Sequence, residues 1–117
     1  MNCSNNNVFD FPPQKRGDTF DGLSFQLLQD DEVTPVNIAG SSFLLQFRTS
    51  ENAAVAYEYS TANNKIQVIS GKITLIPFNV NMQPNTYVYD LQWTNSAGVV
   101  KTIIQGSWKI SADISRL

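Results

Sequence analysis

The chain contains no histidine and a single cysteine, Cys3, in its 117 residues. Histidine is the usual general base near neutral pH and the commonest metal ligand. Its absence excludes catalytic arrangements of the Ser-His-Asp and Cys-His kinds. One cysteine forms neither an intrachain disulfide nor a thiolate metal site, which is typical of a chain that folds in a reducing compartment. We therefore expect no metal, no cofactor and no enzymatic activity.

Charged residues are scarce as well, at 15% of the chain, against about 25% in an average soluble domain. The net charge is −2, and Lys15-Arg16 is the only adjacent basic pair. Nothing resembles the basic stripe with which proteins neutralise phosphates, so we expect no nucleic-acid partner. No apolar run approaches the length of about 18 residues that marks a membrane-spanning helix, so we expect no membrane partner.

Carboxylates are the remaining candidates for acid–base chemistry, because a pair of them cleaves glycosidic bonds in many hydrolases. The candidates are Asp18, Asp21, Asp30, Asp31, Glu32, Glu58 and Asp90. Residues 30–32 form one acidic turn whose spacing is not that of a calcium-binding loop. Asp90 is out of phase with its large neighbours. We predict solvated or structural roles for all seven, and no catalytic residue.

The strongest positive signal is a hairpin in the last third of the chain. Residues 86–94 and 99–110 are rich in β-branched and aromatic residues, and a polar turn at residues 95–98 joins them. This pattern is typical of a β-hairpin. Large residues alternate with smaller or polar ones in the first strand and predict one buried face. These large residues are Tyr87, Tyr89, Leu91 and Trp93.

Five earlier segments also have the composition of strands, namely residues 19–29, 41–49, 54–60, 65–69 and 72–80. Residues 34–40 are expected to be extended. The predicted inward residues are Leu23, Phe25 and Leu27, then Phe43, Leu45 and Phe47, then Val55, Tyr57 and Tyr59. Pro77 predicts an edge strand or a bulge. No segment has convincing helical periodicity, so we predict an all-β domain of about seven or eight strands, folded as an antiparallel sandwich or barrel.

The first 13 residues differ from the rest of the chain. Residues 1 to about 8 are polar and rich in asparagine, and Phe9 and Phe11 precede Pro12 and Pro13. Such a segment is extended and fixes its rings on another surface. The sequence leaves open whether that surface belongs to the same domain or to a neighbour. We interpret residues 1–13 as an extended or disordered assembly arm that lies on a neighbouring subunit, and residues 14–117 as the folded domain.

Two patterns have both a functional and a structural interpretation. Arg16-Gly17-Asp18 matches an integrin-binding tripeptide, but a turn before the first strand explains these residues better. Six aromatic residues would form a sugar-stacking platform if they were exposed, although aromatics at period two more often form a core. They are Tyr57, Tyr59, Tyr87, Tyr89, Trp93 and Trp108. Gly106 marks a bulge or a close backbone approach, so the sequence does not fix the face on which Trp108 lies.

Four features occur in order along the chain. They are residues 15–20, residues 35–43 with Gln46-Phe47-Arg48, residues 87–92, and Gly98-Val99 followed by residues 103–110 and Ile114-Ser115-Arg116. Over residues 14–116 this layout resembles the small β-sandwich domains of tailed-bacteriophage and prophage structural proteins, and is similar to the N-terminal domain of upper baseplate proteins. The motif residues are Arg16, Gly17, Asp18, Gly40, Arg48, Tyr87, Tyr89, Asp90, Gly98, Gly106, Trp108 and Arg116. Asn37 and Ala39 stand where the family has an acidic residue and a threonine.

The resemblance implies an immunoglobulin-like sandwich, no enzymatic activity and a symmetric assembly. We therefore expect a structural protein of a phage particle, made in the host cytoplasm and located in the virion. Its partners would be other virion proteins and further copies of itself, as a trimer or a hexamer. A stalk follows this domain in the baseplate proteins, whereas here the sequence ends with the domain, so we expect a baseplate or tail adaptor, a collar or a head decoration. The alternative is a carbohydrate-binding or host-attachment module.

Overall fold

The computed structural model describes residues 2–3, 7–29, 31 and 33–114, and over these residues the chain is all-β, with no helix. The strands are β1 (Asn2–Cys3), β2 (Asn7–Val8), β3 (Phe11–Lys15), β4 (Thr19–Phe20), β5 (Leu23–Leu27), β6 (Ser42–Arg48), β7 (Tyr57–Ser60), β8 (Ile66–Ile69), β9 (Lys72–Leu75), β10 (Phe78–Asn79), β11 (Asn85–Thr94) and β12 (Val100–Ser111). The predicted all-β fold is confirmed.

Most of these strands belong to two sheets. The larger sheet has the order β2-β12-β11-β6-β7, with β3 also paired to β12, and the smaller sheet has the order β1-β5-β9-β8. β4 and β10 form a separate antiparallel pair. The described pairings are antiparallel except where β1 meets β5 and where β2 and β3 meet β12. The N-terminal strands are therefore added in parallel to sheets that are otherwise antiparallel.

Alternating side chains from both sheets form one hydrophobic core. The buried inward residues include Phe25 and Leu27 of β5, Phe43, Leu45 and Phe47 of β6, Ile73 and Leu75 of β9, and Tyr87, Tyr89 and Leu91 of β11. Successive side chains of a strand point to opposite faces, which is why period-two alternation identified these positions. The inward faces predicted for β5, β6 and β11 are confirmed, and Trp93 at the end of β11 is half-buried.

The predicted hairpin is confirmed as β11 and β12. Asn95 shapes its turn, since the side-chain Oδ1 accepts hydrogen bonds from the backbone N–H groups of Ala97 and Val99 at 2.9 and 3.0 Å. Gly98 has a φ of 83°, a left-handed conformation that favours glycine. The register shifts after Leu91, which leaves Ile103 as the extra residue of a bulge.

The strand predicted at residues 54–60 is shorter than expected. β7 begins at Tyr57, which lies opposite Phe47, and β6 ends one residue later at Arg48. The ladder ends with the hydrogen bond from the Ala56 N–H to the Phe47 carbonyl at 2.8 Å, and residues 54 and 55 lie beyond the end of β6. Val55 is consequently 40% exposed, and its predicted inward position is wrong.

Two other predicted strands are interrupted at facing positions. Residues 72–80 divide into β9 and β10 around Pro77, which has no N–H to donate to a ladder. Residues 19–29 divide into β4 and β5 around Gly22, whose φ is 89°. A Cβ on Gly22 would lie 2.5 Å from the Leu75 carbonyl oxygen. The two breaks lie against each other, and glycine and proline are the residues that permit them.

The segment at residues 34–40 is extended but adds little to either sheet. Pro35 forms an isolated bridge with Leu28, and the Val36 N–H donates to the Leu27 carbonyl at 2.9 Å. Ile38 is buried. The segment thus crosses from β5 to β6 along the core.

The interpretation of residues 1–13 as an arm that lies on a neighbouring subunit needs a correction. β3 pairs with β12 of the same chain, and the boundary expected after residue 13 falls inside β3. Phe11 is buried in the chain's own core, and Phe9 packs half-buried against it, so neither ring is free to anchor on a neighbour in this arrangement. Pro12 and Pro13 are exposed. Residues 1 and 4–6 of the expected arm lie outside the described residues.

Tyr59 joins β7 to the segment after β9. Its side chain is fully buried, and its hydroxyl donates a hydrogen bond to the Ile76 carbonyl at 2.7 Å. Burial disfavours the charged phenolate and raises the pKa of Tyr59 far above its usual value. Tyr59 is therefore a neutral structural group near neutral pH.

We predict that the free energy of unfolding falls above about pH 10, because Tyr59 ionises there in the unfolded chain but not in the folded one. The limiting slope for one such group is about 1.4 kcal/mol per pH unit. The measurement is urea denaturation from about pH 8 to about pH 11 on the wild type and on Tyr59→Phe, which lacks this ionisation. Parallel stability curves for the two proteins would contradict the prediction.

Candidate functional site

The acidic residues that the structure describes either form hydrogen bonds that hold the fold or face solvent. Asp31 Oδ1 accepts hydrogen bonds from the N–H groups of Val33 and Thr34, and Oδ2 accepts one from the Thr34 hydroxyl. These bonds lower the pKa of Asp31, the hydroxyl contributing most. Asp18, Asp21 and Asp90 are exposed, whereas Asp30 and Glu32 lie outside the described residues. The described part of the chain has no cluster of three metal-ligating side chains and no helix suited to cross a membrane.

The aromatic residues form the core and not an exposed platform. All thirteen lie within the described ranges, and each is buried or half-buried. Trp108 is fully buried, with 0% of its surface exposed, which settles the face that the sequence left undetermined. Tyr57 is half-buried beneath Lys65 and stacks on Phe78 with ring centroids 4.0 Å apart. The interpretation of the aromatics as core residues is confirmed.

The motif residues separate into four places. Arg16, Gly17 and Asp18 form a turn between β3 and β4. Tyr87, Tyr89, Gly106 and Trp108 lie on paired positions of β11 and β12, where Tyr87 faces Trp108 and Tyr89 faces Gly106. Arg48 and Asp90 lie on the other face of the larger sheet, Gly40 and Gly98 lie in loops, and Arg116 is outside the described residues. The motif residues thus include turn and loop residues, core residues, and residues on the outer side of the larger sheet.

The N-terminal segment from Asn7 to Lys15, here called the clasp segment, is bound to β12 through both backbone and side chains. The Phe9 N–H donates to the Gln105 carbonyl at 3.0 Å. Asp10 Oδ1 accepts hydrogen bonds from the backbone N–H and the hydroxyl of Ser107 at 3.0 and 3.2 Å. Asp10 therefore fills the gap between β2 and β3, where the backbone ladder is interrupted.

Two carbonyl groups of the clasp segment satisfy buried aromatic donors. The Tyr89 hydroxyl donates to the Phe9 carbonyl, and the Trp108 indole Nε1 donates to the Pro12 carbonyl at 2.9 Å. Buried polar groups without a partner are costly, by about 1–3 kcal/mol each. The clasp segment is thus the hydrogen-bond partner that allows Tyr89 and Trp108 to lie in the core.

The ring of Phe11 fills the centre of this arrangement. Its centroid lies 5.1 Å from those of Tyr89 and Trp108, 5.4 Å from Phe47 and 5.5 Å from Phe20. The contacts with Phe47 and Tyr89 are edge-on, a favourable geometry for aromatic pairs. We call the cavity that receives Phe11 the Phe11 socket; it consists of these four rings with Gly106 and Ser107.

Gly106 makes the close approach of the clasp segment possible. A Cβ at this position would lie 2.0 Å from the Phe9 carbonyl oxygen and 2.7 Å from its carbon. The sequence signal for a close backbone approach at Gly106 was therefore correct, and its partner is the Phe9 carbonyl. Sequence reasoning missed Asp10 and Ser107, because nothing local in the sequence pairs two residues 97 positions apart.

The outward side chains of the larger sheet form a second feature, here called the outer face. Glu58, Gln46, Asp90 and Gln105 lie side by side across β7, β6, β11 and β12. Gln46 Nε2 donates to Glu58 Oε1 at 2.7 Å, and Arg48 donates to Gln46 Oε1 at 2.8 Å. Arg48 also donates to the Ala53 carbonyl. Glu58, Gln46 and Arg48 are therefore held in place before any partner binds.

The outer face includes a shallow concavity of about 250 Å³. Its lining residues are Gln46, Arg48, Glu51, Val88, Tyr89, Asp90 and Gln105. Val88 lies between Arg48 and Ser107 in register and is 40% exposed. An aliphatic side chain within fixed polar neighbours is the usual composition of a protein contact surface.

A groove of about 380 Å³ lies at the end of the molecule where β5 and β11 finish; we call it the loop-end groove. It is lined by Leu27, Leu28, Gln29, Asp31, Val36, Trp93 and Lys101. Trp93 Nε1 donates to the Ser41 hydroxyl at 2.9 Å, so the ring is held in a fixed orientation. The groove combines one aromatic wall with polar side chains.

Comparison with protein-family models and with curated proteins gave no match for this chain.

We predict that Gly106→Ala destabilises the domain by about 3 kcal/mol, because the new methyl group collides with the Phe9 carbonyl. Gly71→Ala is the matched control. Gly71 has a φ of 74° and open space around it, so its cost is conformational only, at about 1 kcal/mol. Denaturant unfolding of both variants measures the difference. An equal or smaller effect at Gly106 would contradict the proposed packing of the clasp segment.

Proposed function

We propose that the domain is an immunoglobulin-like sandwich, and the strand order supports this. In immunoglobulin domains one sheet contains strands B, E and D, and the other contains G, F, C and C′. Here β5-β9-β8 and β12-β11-β6-β7 follow those orders. Removing the four two-residue strands from the twelve leaves eight, close to the seven to nine strands of that fold.

A tyrosine at the start of β11 gives further support to the proposed immunoglobulin-like fold. The Tyr87 hydroxyl donates a hydrogen bond to the Gln83 carbonyl, four residues upstream. Immunoglobulin-like domains have such a tyrosine corner at the start of strand F. Burial raises the pKa of Tyr87, while nearby Arg16 opposes the shift. The motif residue Tyr87 therefore has a role in fixing the entry to β11.

The function that we propose is that of a non-enzymatic structural protein of a bacteriophage particle, acting as a baseplate or tail adaptor, collar or head decoration through protein–protein assembly. The ordered motifs and their resemblance to phage domains supply the virion context. The outer face is the observation that supports assembly, since its polar row is oriented around the partly exposed Val88. Other virion proteins and further copies of the chain, as a trimer or hexamer, are the proposed partners.

The first experiment is quantitative mass spectrometry of density-purified virus particles from the source culture or its induced prophage. A structural protein is expected at a fixed ratio to the major capsid protein, and that ratio indicates its place in the particle. Absence from intact particles would overturn the virion proposal while leaving the fold proposal intact.

We predict that Val88→Glu reduces incorporation into particles at least tenfold, because a charge at the centre of an interface costs more than about 1.4 kcal/mol. The new carboxylate lies across from Arg48, which favours folding. Thr74→Glu, on the outward side of the smaller sheet next to Ser24, is the matched control. Equal incorporation of both variants and the wild type would exclude the outer face as the assembly surface.

The second candidate is a carbohydrate-binding or host-attachment module, and the loop-end groove is the observation that favours it. Trp93 is the aromatic residue in its wall, and a half-buried indole can stack on a sugar ring. Against this candidate, the described residues present no pair of exposed aromatics on one face.

If this second candidate is correct, adding a cognate glycan changes the tryptophan fluorescence of the wild type but not of Trp93→Phe, which retains only the buried Trp108. A glycan array supplies the sugars to test. An array without hits, together with fluorescence that no sugar changes, would remove the candidate.

A further inference from the structure

The clasp segment is joined to the domain in an unusual way, because it is peripheral in the sheet but central in the core. β2 and β3 pair only with β12 among the described strands. β1 precedes the clasp segment and pairs with β5, so it would move with the clasp segment. The pairings among β4 to β12 would stay unchanged. Withdrawal of the clasp segment would also remove Phe11 from the middle of four aromatic rings.

The socket left behind would not be stable when empty. The Tyr89 hydroxyl and the Trp108 indole N–H would each lose the acceptor that the clasp segment supplies. Apolar cavities and unpaired buried donors both carry a large free-energy cost. Any arrangement in which the clasp segment leaves its own domain therefore requires another segment in the same socket.

The chemistry of the socket restricts what that segment can be. Gly106 requires an extended backbone with a carbonyl in van der Waals contact. Ser107 favours a carboxylate one residue later, because its N–H and hydroxyl both donate to Asp10. The cavity among the rings requires an aromatic side chain directly after it. Phe9-Asp10-Phe11-Pro12 meets these requirements and occurs once in the sequence. The matching occupant is the same segment of a second copy of the chain.

The turn after the clasp segment is suited to opening. Gly17 is exposed, has a φ of 96°, and links β3 to β4. The turn is closed by hydrogen bonds from Arg16 N–H to the Ser111 carbonyl and from Gly17 N–H to the Val80 carbonyl. Short hinge loops of this kind favour exchange of terminal elements between protomers.

We propose that the clasp segment is a strand-exchange element, through which copies of this chain associate by placing residues 7–15 in each other's Phe11 socket. This inference rests on the proposed assembly function and specifies its self-association. The contacts that β1, β2 and β3 make in the closed domain are reproduced between copies in the exchanged form. The hinge at residues 16–18 changes conformation and gives up the hydrogen bonds that close its turn.

The test is a disulfide that reports which chain fills the socket. Asp10→Cys and Ser107→Cys are introduced together in a Cys3→Ser background of the full chain, since the native side chains contact each other at 3.2 Å. The protein is refolded at high concentration, its oligomers are separated by size, and each fraction is oxidised and analysed on a non-reducing denaturing gel. We expect covalently linked chains from the oligomer fraction and internally linked monomers from the monomer fraction. Oligomers that yield only internally linked monomers, or no oligomer at any concentration, would overturn the proposal.

A hinge variant provides a second test that leaves the socket intact. Gly17→Ala disfavours the left-handed turn of the closed form, which corresponds to a shift of about fivefold or more per hinge towards the exchanged form. Gly98→Ala is the matched control, because its φ of 83° carries the same strain outside the hinge. Light scattering after size separation at equal concentration measures the oligomer fraction. A Gly17→Ala fraction equal to that of Gly98→Ala would overturn the proposal.

The virion proposal and the strand-exchange proposal can be disproved independently of each other. Absence of the polypeptide from virus particles leaves strand exchange of the purified protein unaffected. A failure of strand exchange, with the protein still abundant in particles, leaves the outer face as the assembly surface.

Discussion

The contact between the clasp segment and the aromatic core is the constraint on which the rest of the structure depends. Phe11 packs among rings from β4, β6, β11 and β12, and therefore joins strands that are distant in sequence. The same short segment supplies the carbonyl groups that pair with Tyr89 and Trp108. Because large aromatics with polar atoms need a hydrogen-bond partner when buried, the core depends on the N-terminal strands for these partners.

Several polar side chains of the described residues hold the fold together. Asp31 shapes a loop, Asp10 joins the clasp segment to β12, and Tyr59 ties β7 to the segment after β9. Aromatic rings that would bind sugars from the surface form the core instead. The surfaces on which the proposals depend are the outer face, the loop-end groove and the edge occupied by the clasp segment.

These surfaces differ in how firmly they are arranged. On the outer face, Gln46 is fixed between Glu58 and Arg48, so a partner would meet preorganised groups and lose little side-chain entropy on binding. The clasp segment is held instead by many contacts that are identical in a second copy. In the proposed assembly the two would be complementary, since a rigid face would give a specific orientation and an exchanged strand a strong link between copies.

The all-β class, the β11–β12 hairpin and the inward faces of β5, β6 and β11 were predictable from the sequence, because alternation and turn residues are local properties. The sequence also indicated a bulge or a close backbone approach at Gly106. The burial of Trp108, the exposure of Val55 and the packing of Phe11 in its own domain follow from the three-dimensional arrangement alone. These depend on which strands lie side by side: β6 ends before it can pair with Val55, and β12 has a free edge where the N-terminal segment fits. Pairing between residues nearly one hundred positions apart leaves no local signal in the sequence.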